Sequence, residues 1–540
     1  MAWYTALGRR ARVASRLRAG HLAVLLSLFA FLGATWVSTF VFDRLPHVED
    51  EVAFLFQAKT IASGQLTAPA PPLPEFFEIP FVLVREGRWF GKYPPGYPLV
   101  LAAGVAAGQP WLVNPVAGAL CVSLVYLLGR RLYGSATALL AAALLVASPF
   151  FLLQAGSFMT HVVSLLWATL FVLLFAASRQ RRAWGLALAA GASLGMLFLT
   201  RPLTAVGIGA PFALWVAAQT LLAKRSARLQ LPLLLGFVPF VACFLAYNAL
   251  TTGSPLKAAY ELWWPYDRIG FGQGVGVLGH YGPDEAIINV RYSLRNLANY
   301  LFGWLLGLSL VPAVLAAGVA VTRLAVATWR CRTPGNDPPG VAASAPARLP
   351  ADAAYDVLLF AVAVSLVVVH LAYWISDQTY GPRYYFEAIG ALVLLSARGI
   401  LCLAGAVRHA ARRLAPAASG RPERYAALAV WMLVLGLFLN AYADFVPREF
   451  TRYIRWYDID ASGLHVVDEA GLHQALVFVA YGYWTDYAPF FTRNTPALDG
   501  DVVYAIDRGP AQNRRLMALY PGRAFYRYAD RRLVPLTAEP

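Results

Sequence analysis

Between residues 22 and 443 the chain returns again and again to apolar stretches of about twenty residues, and this recurrence limits its fold more than any other feature. A bilayer core about 30 Å thick is crossed by roughly 20 apolar residues of α-helix. Inside that core every backbone polar group needs an internal partner, so stretches of this kind form helices. The periodicity predicts spans near 22–42, 109–128, 136–158, 160–178, 184–203, 205–223, 230–250, 299–322, 354–374, 386–405 and 425–443, about eleven in all. With 59% hydrophobic and 14% charged residues, the composition excludes a soluble globular chain. The opening RRARVASRLRAGH resembles the charged start of a signal peptide. The apolar run behind it is longer than a signal core of roughly 7–15 residues, which predicts a retained first helix with a cytoplasmic N-terminus.

A net charge of +16 would suggest nucleic acid in a soluble protein. Here the basic residues gather in alternate connectors, at 130–131, 179–182, 224–228, 323–332 and 408–424, which marks topology and no nucleic-acid partner. These connectors are placed in the cytoplasm with the N-terminus, so 43–108, 159, 204, 251–298, 375–385 and the tail from 444 face outward. The Pro-, Ala- and Gly-rich stretch 325–353 reads as a flexible cytoplasmic linker. The four cysteines, Cys121, Cys243, Cys331 and Cys402, show no disulfide or metal spacing. From 444 to 540 the composition changes, and runs such as ALVFVA, VVYAID and AFYRYA alternate with the helix-like AQNRRLMAL. The expected organisation is a mainly α, polytopic transmembrane domain over 1–443, followed by a small extracytoplasmic α/β domain over 444–540.

The acids are placed selectively. None occurs from Gly87 to Tyr260, and only Asp337, Asp352, Asp356 and Glu423 fall on the cytoplasmic side. Ion-coupled transporters bury acids near the midplane, so acid chemistry is expected at the outer face. There the segment HVEDEVAFLFQAK opens the first outer loop with Glu49, Asp50 and Glu51 in succession. Acids in a first turn satisfy free N–H groups and complement the helix dipole. An amphipathic interfacial helix ended by Gly64 would need only one of them as a cap, leaving another free.

Further along stands GRWFGKYPPGYPLVLA. Pro94 and Pro95 impose an extended chain, Pro98 suits the first turn of a new helix, and Lys92 sits just before the turn. Lysine is rare here, at Lys59, Lys92, Lys224 and Lys257 only. A compact ammonium beside a rigid turn suits a phosphate; snorkelling to the headgroups is the plainer reading.

Taken together, these residues resemble the GT-C superfamily of membrane glycosyltransferases, in the branch of the protein O-mannosyltransferases and the lipid A aminoarabinose transferase. The resemblance rests on Asp50-Glu51 opening the first outer loop, on Lys92-Tyr93-Pro94-Pro95, on FLTRPLTAV at 198–206 and on YGPRYYFEAIGALVLLSARG at 380–399. It covers about 43–210 well and 375–400 more weakly, and is architectural elsewhere. It implies transfer of a hexose or pentose from a polyprenyl-phosphate donor to an extracytoplasmic acceptor (a glycan, lipid or protein) by a single inverting displacement. Asp50 matches the catalytic acid, with Glu51 beside it. Lys92, Arg201 and Arg383 are the candidate donor-phosphate ligands, and His161, Tyr93 and Tyr384 the candidate substrate contacts. Arg201 also has a snorkelling reading, and Arg383 a structural one as a partner of Asp377. Many members carry a second acid where this chain has GSFMTHVVS, with His161 in that region as a metal ligand, a second base, an acceptor contact or a polar cap. The motifs demand no cofactor and leave a divalent metal open. A monomer in the bacterial inner membrane, among membrane lipids, is expected. The competing readings are a lipid-linked-sugar flippase or transporter, which needs polar residues through the midplane, and a non-catalytic scaffold.

Overall fold

The computed structural model describes residues 2–221, 228–332, 350–414 and 421–537. Most of the expected linker 325–353 lies outside the described residues. Among them, nine helices are long and apolar enough to cross a membrane: Arg18–Phe40, Pro110–Leu132, His161–Arg181, Pro202–Leu221, Gln230–Thr252, Leu305–Trp329, Ala351–His370, Arg383–Leu414 and Arg421–Asp458. A pair bent by 61°, Ser135–Val146 with Pro149–Gly156, makes a tenth. The bend has a local cause: the Ser148 hydroxyl accepts the Phe151 N–H at 3.2 Å and Pro149 begins the next helix, so capping restarts the helix in a new direction. The expected span at 184–203 is the apolar helix Trp184–Thr200, of 17 residues. Each of the eleven expected stretches therefore corresponds to a helix or bent pair of the multi-pass bundle.

Chain alternation through these helices brings 43–108, the break near 157–160, Arg201, 253–304, 371–383 and the C-terminal residues to one end of the bundle. The opposite end carries Arg323, whose guanidinium meets Asp352 at 2.8 Å, and Arg398, which holds Asp352 at 3.0 Å and the buried Asp356 at 2.7 Å. Asp356 thus lies within a spanning helix, which is tolerable because Arg398 neutralises it there.

The first loop folds into the helix Glu49–Ala62, a small antiparallel sheet and the helix Gly96–Ala106. In the sheet, Arg88–Gly91 is the central strand, with Ala68–Pro69 on one side and Val82–Arg85 on the other. The interfacial amphipathic helix expected behind the acids is corrected here, because Glu49–Ala62 is buried along Glu51–Ala58 without a break. The sheet covers one side, where Phe56 meets Trp89 with ring centroids 4.4 Å apart. The C-terminal residues cover the other side, where the Lys59 ammonium donates to the carbonyls of Thr492 and, at 2.8 Å, Asn494. A helix covered on both sides needs no polar face.

Helix Arg421–Asn440 passes through a π-turn at Ala441–Phe445 into Val446–Tyr453, so the chain enters its C-terminal part as one continuous rod. Beyond it a four-stranded sheet forms. Ala475–Val479 is fully buried, with Val502–Ile506 and Ala524–Ala529 parallel on its two sides, and Arg532–Leu536 antiparallel at the edge. Helix Pro510–Met517 connects the second and third strands in sequence. All three expected strands and the expected helix are present. Arg508 ties this domain to the first loop through the Glu75 carbonyl at 2.8 and 2.6 Å and the Glu78 carboxylate at 3.0 Å.

Candidate active site

Three consecutive acids in a first turn point in three directions, because successive helical residues are about 100° apart. The residue before the helix, Val48, has no side-chain cap. Glu51 supplies the anchoring instead: its two oxygens accept the His47 N–H at 2.8 Å and the Phe158 N–H at 3.0 Å, and the residue is 1% exposed. It pins the start of this helix to the break before His161. Burial pushes its carboxyl up to about 8, against the pull of those two amides. The pairing of Glu51 with Asp50 as catalytic acids thus meets a geometry in which Glu51 has both oxygens committed to backbone.

Asp50 faces the other way. Its Oδ1 accepts the Tyr93 hydroxyl at 2.7 Å and its Oδ2 lies 3.6 Å from Arg383. Its side chain remains 18% accessible. Burial alone would raise this carboxyl, but the charges of Arg383 and Lys92 and the Tyr93 hydroxyl outweigh it and hold Asp50 below the usual carboxylate range. Asp50 is an ionised acceptor at neutral pH.

Arg383 arrives on a sharp turn. Gly381 has φ +99°, and a Cβ there would stand 2.7 Å from the Phe150 ring, so both backbone and space require glycine. The guanidinium then spans two acids, Asp377 at 2.6 Å and Asp50 at 3.6 Å, with the Met159 sulfur at 3.7 Å. The Asp377 pairing raised as the structural reading is present, and the same guanidinium also reaches Asp50. Its Nε has no partner among the described residues.

The Lys92-Tyr-Pro-Pro turn is pressed against the end of helix Trp184–Thr200. A Cβ on Gly96 would lie 2.6 Å from the Leu199 carbonyl carbon and the Thr200 nitrogen, so the lysine motif and Arg201 are held in register by backbone contact. Gly96→Ala is expected to force this contact apart at a cost of about 1–3 kcal/mol, measurable as a lower Tm in detergent.

Lys92 does not snorkel. It is 4% exposed, with its ammonium 3.4 Å from the Phe81 ring centroid, 4.4 Å from that of Trp264, and 4.0 Å from Asp267. Asp267 is itself held by the Tyr373 hydroxyl at 3.2 Å and the Trp374 indole N–H at 3.0 Å. Burial pushes Lys92 down to about 8, opposed by Asp50 and Asp267. Reading the sequence locally missed this aromatic box; the only signal was the density of Trp and Tyr at 260–266 and 373–374.

Arg201 and His161 belong to a second, deeper cluster. Glu387 Oε1 is shared between His161 Nδ1 at 3.1 Å and Arg201 Nε at 3.5 Å. His161 and Glu387 are buried, and His161 Nε2 and Glu387 Oε2 lack partners among the described residues. Glu387 is therefore an internal counter-ion of Arg201. Tyr384 links the clusters, with the Arg201 and Arg383 guanidinium carbons 5.6 and 5.5 Å from its ring. His370, which sequence reasoning did not single out, stacks on Tyr384 with centroids 5.5 Å apart. Among the described residues no three His, Cys, Asp or Glu side chains converge as a metal site.

Residues 101–247 match the family described as Dolichyl-phosphate-mannose-protein mannosyltransferase, and residues 475–539 match a Domain of unknown function (DUF7846). The chain is similar to the crystal structure of ArnT from Cupriavidus metallidurans bound to undecaprenyl phosphate. The TM-score is 0.52 at 15% identity, over 94% of this chain and 93% of that one. The apo state of the same protein gives 0.51 at 14% identity, over 96% and 94%. No curated protein sequence matches. The chain thus shares the fold of the ArnT structure over nearly its whole length.

Proposed function

We propose that this GT-C-fold membrane protein transfers a sugar from a polyprenyl-phosphate donor to an acceptor hydroxyl at the first-loop face, and that this face is the extracytoplasmic side of a bacterial inner membrane. The observation that carries the reading is the Asp50 carboxylate, ionised and still accessible, with the cations Arg383 and Lys92 beside it. The acceptor oxygen forms its bond to the anomeric carbon as the bond from that carbon to the phosphate oxygen breaks. The acceptor proton passes to Asp50, and the electron pair leaves with the lipid phosphate. One base and one displacement invert the anomeric centre. Positive charge fixed where the phosphate charge develops stabilises the transition state without reorganisation. Lys92 and Arg383 are placed for that duty, with Arg201 behind them. Tyr93 holds Asp50 in orientation, while His161 acts at one remove, through Glu387 and Arg201. The ligand bound in the ArnT structure, undecaprenyl phosphate, is the sugar-free carrier of the donor class proposed here.

The test is transfer of radiolabel from a polyprenyl-phosphate sugar in membranes containing the protein. Label reaching an acceptor supports the proposal; label that crosses the bilayer still on its lipid would overturn it in favour of a flippase.

A pH dependence follows from Lys92. A phosphate favours the ammonium form, and the free group titrates near 8. Donor affinity should be flat below that pH and weaken above it by up to about tenfold per pH unit. Lys92→Arg, which keeps its charge throughout, should abolish that slope; a slope unchanged in Lys92→Arg would remove Lys92 from the phosphate site.

A further inference from the structure

A cavity of about 800 Å³ lies on the other side of the helix that carries Asp50. Its walls come from the outer part of the first span and its exit (Thr39, Arg44), the entrance to the next span (Pro110, Trp111), Lys59, and C-terminal residues including Arg455 and Arg493. Lys59 stands nine positions beyond Asp50 on the same helix, which is about 13.5 Å along the axis and half a turn around it. The cavity is therefore separate from the Asp50–Lys92 site.

Its electrostatics are unbalanced: Arg44, Lys59, Arg455 and Arg493 line it against two carboxylates, Asp43 and Asp460, and Asp43 accepts the Ala461 N–H at 3.4 Å. Arg455 is matched by Asp460 at 3.3 Å and Arg493 by Asp468 at 3.1 Å. Lys59 and Arg44 have no carboxylate partner among the described residues. The Lys59 ammonium donates to two carbonyls, which leaves one N–H unused, and burial pushes the group down to about 8. Arg44 lies over the Trp111 ring at 4.4 Å, and both it and Asp43 hold positive φ angles, +59° and +47°. The chain accepts a conformation unfavourable for these residues and carries Arg44 into the cavity wall. A partly buried ammonium without an anion carries a desolvation cost. Nor does the interdomain contact itself demand a lysine there, because two carbonyls can be satisfied by a neutral donor.

We propose that this cavity is a second anion site, which takes a phosphate-bearing headgroup between Arg44 and Lys59 at the membrane surface. The size suits a headgroup with part of its glycerol or sugar. The walls suit an amphiphile, because Leu45, Leu55, Val105 and Phe158 line the cavity beside the cations. A headgroup seated there would bridge the first span, the Asp50 helix and the C-terminal domain, and would raise the titration of Lys59.

The assay uses the full-length protein in nanodiscs. Phosphatidylglycerol retained by the purified protein is counted by native mass spectrometry, and inorganic phosphate is added as a soluble competitor. One retained lipid is expected in the wild type, with retention weakened at least about tenfold in Arg44→Ala and in Lys59→Gln. The second variant keeps donors for the two carbonyls. Retention that phosphate cannot displace marks a lipid as the source; displacement by phosphate, with the same dependence on the two residues, marks a soluble phosphate group. Asp50→Asn and Lys92→Ala should leave retention unchanged, which makes this outcome independent of whether the transferase proposal stands. Equal retention by the wild type and a folded Arg44→Ala protein would overturn the second site.

Discussion

Asp50→Asn is expected to lower sugar transfer by about 10²–10⁴-fold, the usual range for loss of a general base, while donor affinity changes little. The amide keeps the shape of the side chain, accepts the Tyr93 hydroxyl through its remaining oxygen, and caps a helix about as well as aspartate. It cannot take the acceptor proton. Glu51→Gln is the matched control. The glutamine has one carbonyl oxygen where the two oxygens of the Glu51 carboxyl accept two backbone N–H groups, so one amide is left facing an NH₂. The expected cost is about 1–3 kcal/mol of stability, seen as a lower Tm, with transfer per folded molecule much less affected than in Asp50→Asn. The two adjacent substitutions thus separate chemistry from anchoring. A folded Asp50→Asn protein transferring near the wild-type rate would sink the base assignment, and the geometry offers no reason to move it to Glu51.

This contrast also shows where sequence reasoning reached its limit. Span positions were legible because hydrophobic length is a one-dimensional property, and a helix or bent pair stands at every expected stretch. The strands at 475–479, 502–506 and 524–529 were legible for a similar reason, being short β-branched or aromatic runs between turns. That Glu49, Asp50 and Glu51 divide their duties could be argued from capping; which residue did which depended on what stood around the helix, and Phe158 is 107 positions away. The same holds for Lys92, whose surroundings depend on Trp264 and Asp267, and for Glu387, which reads as a surface acid until Arg201 and His161 are seen against it. The burial of helix Glu49–Ala62 had a sign in the sequence. VAFLF carries no polar residue on any side, which suits a helix covered all round better than one lying at an interface. Motifs made of neighbours were readable. Roles created by long-range partners were not.

Arg383→Gln is expected to damage both chemistry and fold, and the two losses can be separated. Removing the guanidinium leaves Asp50 and Asp377 facing each other's field without their shared cation. Breaking a buried ion pair costs about 3–5 kcal/mol; because the two carboxylates keep 18% and 22% side-chain exposure, the lower end of that range is expected. With burial opposed only by Lys92, Tyr93 and the local backbone, the Asp50 carboxyl should move upward from its depressed value, so the loss of transfer on acidification should set in at higher pH. Loss of a preorganised charge at the leaving phosphate should reduce transfer by about 10²–10³-fold. Adding Asp377→Asn removes the stranded acid, so Arg383→Gln/Asp377→Asn should recover much of the Tm while transfer stays low. That pattern assigns Arg383 to the reaction as well as to the turn, because coupling through Asp377 accounts only for the stability term. Recovery of transfer together with Tm in the double variant would confine Arg383 to holding the loop in place. Arg383→Lys should fall between, since an ammonium keeps the charge but cannot present a fork to Asp50 and Asp377 at once.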